Sequence, residues 1–211
     1  NLVNLEKFHI HQTDKQKTGI TGKLPHFKEN TKLRMLDVSN NAMTGSIPYD
    51  FMANSIYKGL EELIEINLSF NLFTGVVHAS SFNQFSNMKL DLANNKLEKV
   101  SENLCEMKDW WNGEVGKVIG GGGNGCDAIL CPQGTYNTLG RATSEDGGEC
   151  VDCVSATFAG AVSCPEENET NSREKEILDG LYIATAGDQW IDGVVHWTHA
   201  KNVCKYEGIT C

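Results

Sequence analysis

The sequence has no apolar run of about 18 residues or more, so no stretch of it reads as a membrane-spanning helix. It has no cysteine before residue 105, so disulfides cannot organise its first half. Lys and Arg number 18 against 28 Asp and Glu, a formal net charge of -10. A modest positive excess in residues 1–40 gives way to strong negative charge in residues 141–180. The concentrated basic face of a nucleic-acid binder is missing. So are a G-x-S-x-G elbow, an H-E-x-x-H pair and any nucleophile beside a base; the six His are scattered. No catalytic residue, metal site or cofactor is expected, and the chain reads as a non-enzyme. Asn1 opens neither a signal peptide nor an initiator-Met start, which reads as a piece of a longer protein.

Periodicity is what the sequence does have. The stretches LEKFHIHQT, LRMLDVSNN, LIEINLSFN and MKLDLANN align. The last three follow apolar-x-apolar-x-x-Asn. The apolar pairs are Phe8/Ile10, Leu36/Val38, Ile66/Leu68 and Leu90/Leu92, with steps of 28, 30 and 24 residues. In a short strand the paired apolar residues point to one face and their neighbours to the other. One copy cannot bury its own face, so copies must stack in parallel. Asn41, Asn71 and Asn95 then turn the corner, their amides satisfying backbone groups that the turn leaves unpaired. The first copy has Thr13 at this place and about five extra residues, which reads as an outward bulge.

The period is that of leucine-rich repeats. The segments ITGKLP (20–25), MTGSIP (43–48) and FTGVV (73–77) resemble the plant-type extracellular subclass. That resemblance implies a second short strand in each copy, with Phe27, Phe51 and Phe85 filling the convex side. The expected fold is an α/β solenoid over residues 1–104. Its outward strand positions would line the concave face: Lys7, His9, His11, Met35, Asp37, Ser39, Glu65, Asn67, Lys89 and Asp91. Most are polar, which favours a protein, peptide or glycan ligand over lipid.

After Leu97 the rhythm stops. Trp110 and Trp111 beside Cys105 suit a cover over the last hydrophobic face, in preference to a carbohydrate platform. The run GGGGNG (120–125) contains G-x-G-x-x-G but is followed by cysteines instead of a helix, so it reads as a mobile surface loop. Eight cysteines, 105, 126, 131, 150, 153, 164, 204 and 211, read as disulfides of an oxidising compartment. Cys150 and Cys153 have redox or zinc spacing, but neither a strand-to-helix setting nor a second close pair accompanies them. CPQGTYNTLGRATSEDGGECVDC (131–153) resembles the small modules of epidermal-growth-factor or tumour-necrosis-factor-receptor type. That resemblance implies Cys131–Cys150 and Cys153–Cys164, leaving Cys105 and Cys126 to each other. A disulfide-rich module over 105–165 is expected.

The last segment, 166–211, carries Leu181, Tyr182, Ala184, Thr185, Gly187, Trp190, Trp197, Cys204, Tyr206, Gly208 and Cys211. Their spacing is similar to the helical N-terminal cap of plant and algal leucine-rich-repeat ectodomains. This implies a Cys204–Cys211 staple at the start of a second array, and cap geometry accounts for His196 and His199 better than metal binding does. Asn67 and Asn168 open N-x-Ser/Thr sequons and are candidate glycosylation sites. The expected function is extracellular or cell-surface recognition, receptor-like or secreted, through the concave face. The alternative is a structural glycoprotein of a coat, appendage or filament, in which the partners are neighbouring copies.

Overall fold

The computed structural model describes residues 2–12 and 19–165. Four coils stack through two parallel sheets. The first sheet has the order β1 (Lys7–His9), β3 (Met35–Asp37), β5 (Leu63–Asn67), β7 (Asn87–Asp91). The second has β2 (Thr21–Lys23), β4 (Ala42–Gly45), β6 (Leu72–Val77), β8 (Lys96–Val100). Each step along either sheet is one repeat. Leu36 pairs with Ile66 and Ile66 with Leu90, so equivalent side chains lie directly over one another.

The inward rows are fully buried: Leu36, Ile66 and Leu90 in one, Val38, Leu68 and Leu92 in the next. Burying one such aliphatic side chain contributes about 1.5–3 kcal/mol. Ile64 and Met88 add a third inward position in the two longer strands. The first coil is different. Phe8 is half-buried and Ile10 is exposed, because β1 pairs on one side only, with β3.

The asparagines form a ladder between coils. Asn71 Nδ2 donates to Val38 O at 2.9 Å in the preceding coil, and Asn71 Oδ1 accepts Met43 N–H at 3.0 Å. Asn41 does the same with Ile10 O and Ile20 N–H, and Asn95 with Leu68 O and Phe73 N–H. The Thr-Gly pairs have a backbone cause too. Gly22, Gly45 and Gly75 lie at φ 101, 81 and 80, a region that side chains disfavour.

Across from the first sheet, connections are turns and one short helix, α1 (Ala79–Phe82). Phe8, Phe27, Phe51 and Phe82 make ring contacts in sequence, at centroid separations of 6.1, 5.9 and 5.5 Å. Phe82 thus continues the column where the repeat pattern points to Phe85. Phe85 is buried beside it, and its carbonyl accepts Trp110 Nε1–H at 2.9 Å.

That bond begins the cover over the last coil. Trp110 is fully buried and opens α2 (Trp110–Gly120), which packs on β7. Ala159 N–H bonds to Leu97 O, and Asn94 N–H to Gly160 O, so the returning chain also closes the β8 edge. Residues 120–124 of the glycine run lie exposed at the surface as expected, and only its end, Gly125, is buried, where a Cβ would meet the carbonyl of Cys105. Disulfides join Cys105 to Cys126, Cys131 to Cys150 and Cys153 to Cys164, the pairing that the module resemblance implies. A two-stranded ribbon, β9 (Thr135–Tyr136) with β10 (Val151–Asp152), lies inside this segment. Asn1–Cys164 is one compact unit. The Thr13 bulge, Asn168, Cys204, Cys211 and the second cap fall outside the described residues.

Candidate functional site

Strand register decides which outward residues meet. Lys7, Met35, Glu65 and Lys89 occupy one row across the first sheet, and His9, Asp37, Asn67 and Asp91 the other. Between them lies a hollow of about 250 Å³, with Leu36 and Ile66 at its floor and Trp111 in its wall. His9, Met35, Asp37, Glu65, Asn67, Lys89 and Asp91, all expected on this face, line it together. Lys7 and His11 are exposed beside it and do not line it. Ser39 does not belong to the open face. It lies in the turn beyond β3 and is only 4% exposed, its N–H held by Asp37 Oδ1 and its hydroxyl by Asn40.

The second row has a common local geometry. Asp37, Asn67 and Asp91 each use Oδ1 to accept the N–H two residues on, from Ser39, Ser69 and Ala93 at 3.0–3.1 Å. These are Asx turns, built by a short polar side chain on its own backbone. Asn67 Oδ1 also accepts the Ser69 hydroxyl at 2.7 Å. The role fixes one carboxylate oxygen of each Asp. In the first row Lys89 Nζ reaches Glu65 Oε1 at 3.3 Å, and between the rows His9 Nε2 lies 3.0 Å from Met35 Sδ.

Charge in the second row is unevenly compensated. Burial pushes the Asp91 carboxyl up, and the nearby Asp37 adds to this; the Ala93 N–H, the Arg141 charge and the Ser69 hydroxyl pull the other way. Burial in turn pulls Arg141 down from its ordinary range. Asp37 has His11 Nδ1 at 3.9 Å. Among the described residues Asp91 has no ion pair within 4.0 Å.

One lining residue of this site, Trp111, comes from the segment after the repeats. Trp111, Asn112 and Gly113 are consecutive residues at φ 56, 56 and 82, so the chain turns left-handed at once after the buried Trp110. Such a stretch costs of order 1–3 kcal/mol for each strained non-glycine residue. It separates the two tryptophans: one indole goes into the core, the other to the hollow. The Arg141 guanidinium lies 3.9 Å from the Trp111 ring centroid, a cation–π contact. Among the described residues, Trp111 Nε1 is buried without a hydrogen-bond partner. Sequence reasoning gave both tryptophans the covering role and gave Arg141 none. Gly113 after W-W-N was the one available signal that the chain turns there.

A family model described as Leucine Rich Repeat matches residues 32–54, the second coil. The four coils form a leucine-rich-repeat solenoid. No curated protein and no solved structure matches the chain. The solenoid is a fold typical of non-enzymatic protein interaction, and the three disulfides suit an oxidising, extracellular type of environment. No helix among the described residues is long and apolar enough to cross a membrane.

Proposed function

We propose that the protein is an extracellular or cell-surface recognition module whose partner, a protein or peptide, docks on the outward face of the first sheet. One observation carries this reading. The hollow brings Glu65, Asn67, Lys89 and Asp91 from the repeats together with Trp111 from the segment beyond them. Side chains that only kept a wall soluble would not need a strained left-handed turn to deliver an indole among them. Polar groups arranged around an aromatic anchor and an apolar floor suit a protein or peptide surface better than lipid.

The test is a binding screen of the oxidised 211-residue chain against an array of secreted proteins and ectodomains, followed by hydrogen-exchange footprinting of each hit. Slowed exchange over residues 35–37, 63–67 and 87–91 is expected. Protection confined to the second sheet or the cysteine-rich segment would overturn the proposed face. Self-association with no other partner would favour the structural-glycoprotein alternative.

A further inference from the structure

The hollow has a chemical bias. Three carboxylates, Asp37, Glu65 and Asp91, face it, and Lys89 is committed to Glu65 at 3.3 Å. Asp37 and Asp91 sit at equivalent positions of β3 and β7 with Asn67 between them. Strands lie about 4.8 Å apart, so a group seated over Asn67 is roughly 5 Å from either strand position. Asp37 and Asp91 repel each other across this gap, and against this stand the Arg141 charge, over the Trp111 ring, and the Ser69 hydroxyl at Asp91 and His11 at 3.9 Å from Asp37. An anion entering here would meet both. A cation would relieve both, and Met35 and Trp111 would flank its aliphatic stem.

Resting on the reading of this face as the docking surface, we propose that the hollow receives one lysine or arginine side chain of a partner peptide. Its ammonium or guanidinium sits over Asn67 and bridges the Asp37 and Asp91 carboxylates. The volume of about 250 Å³ suits a single long side chain. The chain itself supplies the clean variant. Asn67 already makes the same Asx turn without charge, at 3.1 Å to Ser69 N–H. Asp37→Asn and Asp91→Asn therefore keep the turn bonds and remove only the charges.

The experiment pans a displayed library of random nine-residue peptides on the oxidised 211-residue chain. Asp37→Asn creates an Asn-Val-Ser sequon, so all proteins are made in an oxidising bacterial compartment without N-glycosylation. Lys or Arg is expected at one fixed position of the selected peptides. Replacing it with norleucine should weaken binding about tenfold or more, and the Asp37→Asn/Asp91→Asn protein should show a similar loss. Lys96→Ala, exposed on the second sheet, should leave affinity unchanged. Selected peptides without a fixed cation, but with exchange protection on β3, β5 and β7, would overturn this inference and keep the docking face. Peptides that protect other surfaces, or no enrichment at all, would overturn both.

Discussion

Asn71 Nδ2 donates to the carbonyl oxygen of Val38, 33 residues earlier and one coil away, at 2.9 Å. Its Oδ1 accepts from Met43 in the other sheet of that same coil. One side chain, 5% exposed, thus holds both sheets of the neighbouring coil. Asn71→Ala leaves a buried donor and buried acceptors unpaired, at about 1–3 kcal/mol for each unsatisfied group. A loss of roughly 2–4 kcal/mol in denaturant unfolding is expected. Asn41→Ala should cost less, because Asn41 is only half-buried and water can replace part of its bonding.

Leu68 is fully buried, and its carbonyl accepts from Asn95 at 3.0 Å. Leu68→Asp would place an unpaired charge inside the stack. Destabilisation of several kcal/mol is expected, of the order seen for uncompensated buried charges. Equilibrium unfolding of the variant beside Leu68→Met, which conserves volume, separates the charge effect from packing. Equal stability of the two would contradict the inward placement of this row.

Two carboxyls respond to pH in opposite directions. Glu114 is held down to about 2, chiefly by the Ser144 hydroxyl and N–H, with Lys117 at 3.3 Å helping. Its folded value lies below its ordinary value of 4.5, so its stabilisation is present above pH 4.5 and is lost as pH falls toward 2. Asp91 is held up by burial, so its charged form opposes folding once pH rises past its ordinary value. Glu114→Gln should lower the melting temperature at pH 7 and flatten its dependence between pH 4.5 and 2. Asp91→Asn should raise the melting temperature at pH 7. Melting curves across this range check both signs.

The two adjacent tryptophans should separate in mutagenesis. Trp110→Ala empties a fully buried site and should cost about 3–5 kcal/mol. Trp111→Ala removes a half-buried ring and its contact with Arg141 at 3.9 Å, worth about 0.5–2 kcal/mol, and relieves a strained residue only if the turn relaxes. Its larger effect should be on binding at the hollow. A Trp111 variant that unfolds as readily as the Trp110 variant would make both of them parts of the cover.

Peptide mapping under non-reducing conditions should recover Cys105–Cys126, Cys131–Cys150 and Cys153–Cys164. The proposed Cys204–Cys211 staple is read in the same experiment, and a free thiol there would remove the support for a second cap. Protein secreted from a glycosylating host should lose mass on deglycosylation if Asn67 or Asn168 is used. A glycan on Asn67 would fill the hollow, and its presence on the native protein would exclude the proposed cation site.

Periodicity in the sequence determined the repeat, its inward pairs and the corner asparagines, because a solenoid repeats one local environment. Every copy of Leu36, Ile66 and Leu90 obeys the same burial requirement, so a pattern with one period records it. The same pattern located seven of the residues that line the hollow, since strand alternation follows from backbone geometry alone. It overreached at Ser39, where the strand has already ended and the side chain is buried in the turn. Tertiary structure decided what happens once per chain. That Phe82 continues the ring column, that Trp111 leaves Trp110 through a left-handed turn, and that Arg141 arrives over its ring 30 residues later have no periodic trace. Contacts of that kind depend on how one non-repeating segment folds back on the last coil, and only packing fixes that path.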